Sequence, residues 1–174
     1  MTIEYNVSEE DYINFNLFHQ RNSKYGRRLS FLMRFVPAVA ILAVAFISFS
    51  DVFFLAFGMF VAFMWVIMYP RYEKDGYTKA VRKFIREGKA NDFIGSQKLS
   101  LKSDFIEEVT RSSTSQTRYE AVERVGRGYG CFFVYIGAIK AIIVPVAAFS
   151  DEGQAGKFLD ILKEKTGHEP VGEL

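Results

Sequence analysis

The sequence predicts an α+β membrane protein, in which a two-helix transmembrane hairpin carries a small antiparallel β-domain closed by a C-terminal helix. Three observations predict this class. Two apolar runs, 35–49 and 52–69, are separated only by Ser50-Asp51. Residues 98–102 alternate between polar and apolar with the period of two that is typical of strands, and 131–136 and 138–144 are dense in aromatic and β-branched residues. Residues 153–165 then carry one apolar stripe at helical spacing.

The second apolar run is the clearest membrane signal. It contains no charged residue, and at 1.5 Å per helical residue its roughly 18 residues extend about 27 Å, close to the thickness of a bilayer's hydrocarbon core. The first run reaches a similar length if it begins at Phe31. A buried helix of a soluble domain normally keeps a polar stripe, and 52–69 has none. We therefore predict a transmembrane hairpin over 31–70 rather than a buried hairpin in a soluble fold.

Positive charge flanks the hairpin on one side only. The basic residues around the spans are Arg21, Lys24, Arg27, Arg28, Arg71, Lys74, Lys79, Arg82, Lys83 and Arg86, whereas the connection offers only Ser48, Ser50 and Asp51. Because basic flanks remain on the cytoplasmic side of a membrane, we expect a two-pass protein with both termini in the cytoplasm.

The segments next to the hairpin have patterns of their own. Residues 1–30 predict a cytoplasmic strand at 3–7 and a helix that begins at Ser8-Glu-Glu-Asp11. Residues 71–92 predict a basic amphipathic juxtamembrane helix. Its apolar face holds Tyr77, Val81, Phe84 and Ile85, and its basic residues are Lys79, Arg82, Lys83 and Arg86. This helix either lies on anionic headgroups or is a solvated helix that enforces topology.

Residues 93–174 predict the β-domain. About five strands in a meander are expected at 98–102, 105–110, 117–125, 131–136 and 138–144. A last helix follows, with Asp151 and Gln154 suited to a capping box and Gly167 at its end. A curved antiparallel sheet whose open side is filled by this helix satisfies both patterns.

This order of segments is similar to a pleckstrin-homology-like (PH-like) fold, and the whole chain resembles the bacterial YcxB-like family. The resemblance lies first in Val7-Ser-Glu-Glu-Asp-Tyr-Ile13, in the hairpin at 31–69 and in the closing helix. It also lies in two motifs. Tyr119-Glu-Ala-Val-Glu-Arg-Val125 corresponds to the family's Trp-x-x-Ile-x-x-Val, and Ile143-Val-Pro-Val-Ala-Ala-Phe149 corresponds to Ile-Pro-x-x-x-Phe. Tyr119 replaces the usual tryptophan, and Val146 replaces a frequent basic residue. The resemblance implies two spans in the bacterial inner membrane and a cytoplasmic PH-like domain, and it implies no assigned activity.

No residue set predicts catalysis, a cofactor or a metal. The two histidines, His19 and His168, and the single cysteine, Cys131, are too few and too scattered for a metal site. Gly126-Arg-Gly-Tyr-Gly130 lacks the preceding strand and following helix that aim backbone amides at a phosphate, so we interpret it as a turn or bulge. We expect a protein that is not an enzyme.

The remaining candidate residues are basic. Besides the helix residues Lys79, Arg82, Lys83 and Arg86, four arginines surround the predicted hairpins: Arg111, Arg118, Arg124 and Arg127. They either clasp lipid phosphates or keep the domain soluble.

These features predict an anchor that holds a binding or scaffolding domain at the inner face of the membrane. The expected partners are the bilayer and either another membrane protein or a second copy of the chain, and a net charge of +2 does not suggest nucleic acid. The alternative function is sensing of anionic lipid or ligand through the basic helix and the arginines.

Overall fold

The computed structural model describes residues 1–48, 52–137 and 140–172, so the predicted connection at Ser50-Asp51 lies outside the described residues. The elements are β1 (Thr2–Val7), α1 (Glu9–Asn22), α2 (Lys24–Ser48), α3 (Val52–Arg86), β2 (Gly95–Leu101), β3 (Phe105–Val109), β4 (Thr114–Arg118), β5 (Arg124–Gly128), β6 (Cys131–Tyr135), β7 (Ala141–Pro145), α4 (Glu152–Thr166) and β8 (Pro170–Val171). They form two compact units. One unit is His19–Ala80, and the other joins Met1–Phe18 to the chain from Val81 onward.

The strands form two four-stranded sheets instead of one five-stranded meander. The first sheet has the order β1-β2-β3-β4, and the second has the order β7-β6-β5-β8. All pairs are antiparallel except β5 with β8. The predicted strand at 117–125 is wrong as a single element, because a 3-10 turn at Tyr119–Ala121 interrupts it. The chain leaves the first sheet at this turn and enters the second.

The N-terminal strand belongs to the first sheet. β1 pairs with β2 from Thr2↔Ser100 to Val7↔Gly95. Alternate side chains of β1, from Ile3 to Val7, are buried. The strand predicted at 3–7 is confirmed, and it covers the edge of β2. Without it, the unpaired backbone N–H and C=O groups of that edge could pair with another chain and cause aggregation.

Helix α4 closes the second sheet as predicted. Its Phe158 side chain is fully buried, with ring centroids 5.9 Å from Phe132 and 5.2 Å from Phe149. Asp151 caps the helix by accepting a hydrogen bond of 2.7 Å from the backbone N–H of Gln154. The helix ends at Gly167, whose φ of 71° is the left-handed conformation that glycine adopts without strain.

Helix α1 packs its aromatic face against the second sheet. The Phe18 ring centroid lies 4.9 Å from that of Phe133. A Cβ atom at Gly126 would lie 2.6 Å from Cε1 of Phe18, so only glycine allows this approach. Tyr129 and Gly130 both have positive φ, 53° and 72°, which matches the two-residue turn preferred in hairpins. The interpretation of the glycine run as a turn is confirmed at Tyr129 and Gly130, whereas Gly126 and Gly128 belong to strand β5.

Small residues let α2 and α3 approach closely. Ala38, Ala45 and Ala62 are buried although most of their neighbours are exposed. A Cβ atom at Gly58 would lie 2.6 Å from the Cβ of Ala45. The two apolar helices therefore use their small side chains to pack against each other.

Residues 71–86 are the continuation of α3 and not a separate juxtamembrane helix. The helix continues through Pro70 and ends before Gly88, whose φ is 74°. Val81 and Ile85, from the predicted apolar face, are buried within the protein. They are therefore not available to enter a lipid headgroup layer.

Candidate functional site

Helices α2 and α3 expose their apolar side chains. Each contains a window long and apolar enough to cross a bilayer, and only 11% of each window is buried. Ile47 of α2 and Phe53 of α3 are 82% and 84% exposed. A core hairpin of a soluble fold would be mostly buried, so these helices are not the interior of a globular domain.

A basic residue lies between the two apolar helices. The Arg34 Nε donates a hydrogen bond of 3.1 Å to the carbonyl oxygen of Val66. In a regular helix this carbonyl accepts from the N–H of residue 70, but residue 70 is proline and has no N–H. Arg34 therefore satisfies the acceptor that Pro70 leaves open, instead of reaching away from the helix pair.

One carboxylate joins the polar ends of the same helices. Glu73 of α3 accepts a hydrogen bond of 2.7 Å from the Ser30 hydroxyl and one of 3.1 Å from the Gln20 amide. Both partners belong to the same compact unit as Glu73. The sequence shows no pattern that links these three residues, because the contact depends on the register of α2 against α3.

The four basic residues predicted on the juxtamembrane helix share a face of α3. Arg82, Lys83 and Arg86 lie three, four and seven residues after Lys79, and all four are exposed. Arg82 and Arg86 line a cleft of about 320 Å³ together with Glu9 and Glu10 of α1. The acidic first turn of α1 is thus close to half of this basic face.

The four arginines predicted around the hairpins do not gather at one surface. Arg111 lies in the β3–β4 turn, while Arg118 lies opposite Phe105 at the other end of that hairpin. In the second sheet, Arg124 stacks over the Tyr135 ring at 3.8 Å. Arg127 lies 6.0 Å from the Phe132 ring centroid, and its buried Nε has no hydrogen-bond partner among the residues that the structure describes. Arg124 and Arg127 thus pack along strand faces instead of extending from turns.

An open groove of about 1380 Å³ brings two predicted residues together. Arg86, at the end of α3, and Arg111, in the β3–β4 turn, both line it. The other lining residues come from β1, the start of α1, the end of α3, the chain from 91 to 98 and the β3–β4 hairpin: Glu4, Tyr5, Asn6, Glu9, Ile85, Asn91, Asp92, Ile94, Gly95, Ser96, Gln97, Lys98, Val109, Thr110 and Ser112. Sequence reasoning missed this groove, because its walls are distant in the chain.

Charged residues of both signs line the groove: Arg86, Lys98 and Arg111 are basic, and Glu4, Glu9 and Asp92 are acidic. Glu4 is paired with Lys98 at 2.7 Å, and Asp92 accepts a hydrogen bond of 2.6 Å from the Ser112 hydroxyl. Among the described residues, neither Arg86 nor Arg111 forms an ion pair. The two guanidinium groups are therefore able to bind the acidic or amide oxygens of a partner.

The first sheet has a polar interior next to this groove. The Tyr5 hydroxyl and the Gln97 Oε1 are buried without a hydrogen-bond partner in the described structure. Burial raises the pKa of Glu108 above its usual range, although Lys140 and the Ser115 hydroxyl, which donates to it at 3.3 Å, act in the opposite direction. This half-buried carboxyl is a destabilising group at neutral pH.

The cysteine is not exposed for chemistry. Cys131 is buried and its Sγ lies 3.4 Å from the Asp11 carboxylate, to which it donates. Burial raises the pKa of the Cys131 thiol, and the Asp11 charge raises it further, so the reactive thiolate is suppressed. Within 1–48, 52–137 and 140–172, no three His, Cys, Asp or Glu side chains are grouped so that they could hold a metal ion.

One family model is similar to part of the chain. Residues 101–162, from the end of β2 into α4, match the family described as YcxB-like protein. The resemblance to this family is confirmed over that segment. No curated protein and no solved structure shows significant similarity to the chain.

Proposed function

We propose that this chain, which is YcxB-like over residues 101–162, is a non-enzymatic integral membrane protein that holds a small partner-binding domain at the inner face of the bacterial cell membrane. The observation that carries the proposal is the exposure of two apolar helices of membrane-spanning length, 11% buried, in one chain with a closed β-domain. The helices supply an anchor, and the domain supplies a binding surface.

The energetics of insertion support the anchor. Each Leu, Ile, Phe or Val near the centre of a span contributes about −0.3 to −0.6 kcal/mol, and about ten such residues over 52–69 contribute roughly −3 to −6 kcal/mol. Arg34 opposes insertion, but its hydrogen bond to Val66 lowers that cost. The basic flanks at 21–28 and 71–86 favour a cytoplasmic location for both termini.

The architecture of the domain supports a PH-like assignment. Two four-stranded, mainly antiparallel sheets are followed by helix α4, which fills the open side of the second sheet with Phe158 and Leu162. Such a domain is rigid and leaves sheet edges and grooves for recognition. This supports binding as the role of the domain.

The groove that contains Arg86 and Arg111 is the proposed partner site. It is open, has both polar and apolar lining residues and is formed by several segments, and its two arginines have no ion pair in the described chain. A peptide segment of another membrane protein, or of a second copy, fits a groove of this kind when it presents acidic or amide groups.

Sensing of anionic lipid is a second candidate, supported by the exposed basic face at Lys79, Arg82, Lys83 and Arg86. The burial of Val81 and Ile85 argues against insertion of that helix into headgroups. Partner binding is therefore the better supported of the two.

Photo-crosslinking in native membranes tests the proposal. A photoreactive side chain at Ser112, in the groove, is expected to give a discrete adduct, whereas the same side chain at exposed Ser103 is the matched control. R86Q/R111Q is expected to remove the Ser112 adduct. Equal labelling at both positions, or none at Ser112, contradicts a groove partner.

Release of the chain by carbonate washing contradicts the anchor.

A further inference from the structure

We propose that the start of α2 carries a binding site for an anionic membrane phospholipid, with Lys24, Arg27 and Arg28 holding the phosphate and Phe31 and Leu32 contacting an acyl chain. The inference rests on the proposed membrane location of the hairpin. It concerns different residues from the basic face at the end of α3.

The five side chains share one face of α2. Their spacings from Lys24 are three, four, seven and eight residues, which places them on neighbouring turns of one side of the helix. Together they line a shallow depression of about 610 Å³. Phe31 and Leu32 are 62% and 52% exposed, so both are open to a ligand.

The cations of this depression have no acidic partner. All of its lining residues are basic or apolar. Across the described chain, no ion pair involves Lys24, Arg27 or Arg28. Glu73, a carboxylate of the same unit, is occupied by Ser30 and Gln20. The two guanidinium groups are therefore free to bind phosphate oxygens in the bidentate geometry that arginine favours.

The change from charged to apolar side chains identifies the ligand as a lipid. Arg28 and Phe31 are three residues apart, about 4.5 Å along the axis, so the change occurs within one helical turn. The Phe31 ring lies 4.7 Å from that of Phe35, which continues the exposed apolar strip. A phosphate with acyl chains beside it uses both parts of the depression, whereas a free phosphate uses only the cations.

Native mass spectrometry of the full chain, purified in mild detergent, tests the site. With phosphatidylglycerol and phosphatidylcholine supplied in equal amounts, we expect selective retention of phosphatidylglycerol. R27Q/R28Q is expected to weaken retention about 30-fold, on the basis of about 1 kcal/mol per basic residue near a membrane surface. K157Q/K165Q removes the same charge from exposed positions of α4 and is expected to change retention less than threefold. Glycerol phosphate is expected not to displace the lipid.

Any one of the following results overturns the site: no preference for phosphatidylglycerol, equal loss in both variants, or displacement by glycerol phosphate. If R27Q/R28Q does not fold, the salt dependence of lipid retention by the unmodified chain tests the site instead. Binding through these cations must weaken as the salt concentration approaches about 1 M, because the Debye length falls to about 3 Å. Retention that is unchanged by salt also overturns it. A carbonate wash separates the two proposals: a chain that stays in the membrane pellet but lacks lipid selectivity contradicts only the lipid site.

Discussion

The Arg34 guanidinium donates, through Nε, a hydrogen bond of 3.1 Å to the carbonyl oxygen of Val66. Two residues that are unfavourable in a membrane helix, an arginine and Pro70, thereby compensate each other. The proline removes the N–H that normally binds this carbonyl, and the arginine supplies a donor from the neighbouring helix.

A double-mutant cycle is expected to show this compensation. R34M leaves the Val66 carbonyl without a donor, whereas P70A restores the helical N–H. The cost of R34M should therefore be larger with Pro70 present than in P70A, by about 0.6 kcal/mol, the average for side-chain hydrogen bonds between membrane helices, and by no more than about 1.7 kcal/mol. Reversible unfolding of the four proteins in mixed micelles measures the coupling. Additive effects would show that Arg34 does not serve this carbonyl.

Leucine at Gly58 is expected to separate the two apolar helices. Even a Cβ at this position would lie 2.6 Å from the Cβ of Ala45. We expect G58L to destabilise the hairpin by about 1–3 kcal/mol, the usual cost of overpacking. Gly76 of the same helix has no atom within 4 Å of an added Cβ, so G76A is the matched control and should stabilise by about 0.5–1 kcal/mol. Thermal unfolding of both variants in detergent checks the contrast.

Alanine at Gly126 is expected to displace α1 from the second sheet. Its Cβ would meet the Phe18 ring at 2.6 Å, and we expect a loss of about 1–3 kcal/mol. F18L shortens the opposing side chain, so G126A/F18L should lose less than the sum of the single changes. G156A, in an uncrowded position of α4, is the control. Urea unfolding, monitored by far-UV circular dichroism, measures the change in the free energy of unfolding for each variant.

Neutralising Glu108 is expected to stabilise the β-domain at neutral pH. Burial raises its pKa in the folded state, so the folded protein binds this proton more tightly than the unfolded chain does. The contribution of Glu108 to the free energy of unfolding is therefore most favourable below the pKa of this group in the unfolded chain, near 4.5. This contribution is lost as the pH rises through the pKa of Glu108 in the folded protein. E108Q should unfold at a higher temperature than wild type at pH 8, and the difference should shrink towards pH 4. A constant difference would contradict the assignment to Glu108.

The β-domain is expected to require the N-terminal segment. Without β1, strand β2 becomes an exposed edge, and the six register pairs from Thr2 to Val7 are lost. A fragment of residues 81–174 should therefore aggregate, whereas the same fragment linked to residues 1–18 should be monomeric. Gel filtration and proton–deuterium exchange of β2 amides distinguish the outcomes. A stable 81–174 fragment would show that the first sheet is complete without β1.

Local patterns predicted many elements of the fold because local energetics decide them. The capping residues Asp151 and Gly167 mark the ends of α4 within a few residues. The strand at 3–7 is visible as alternation, but its partner is not, because pairing with β2 joins residues about one hundred positions apart. The break at Tyr119–Ala121 was missed because the alternating residues around it hide a change of sheet.

The candidate site depended on tertiary structure in the same way. Basic residues are evident in the sequence, yet their grouping is not. Arg86 and Arg111 share a groove, while Arg124 and Arg127 stack on aromatic rings. From the sequence alone, the basic residues that begin at Lys24 indicate only the topology of the hairpin. The structure adds that the basic residues and the apolar residues Phe31 and Leu32 belong to one helix and line the same depression.

The sequence by itself determined the two apolar spans, the charge asymmetry around them and the alternation of the β-domain, since each depends on residues that are near one another in the chain. Tertiary structure alone decided which strands pair, which arginines remain without a partner, and how Arg34 meets the carbonyl released by Pro70. The physical reason is that hydrogen bonds and packing between distant segments depend on register, and register is fixed only when the elements come together.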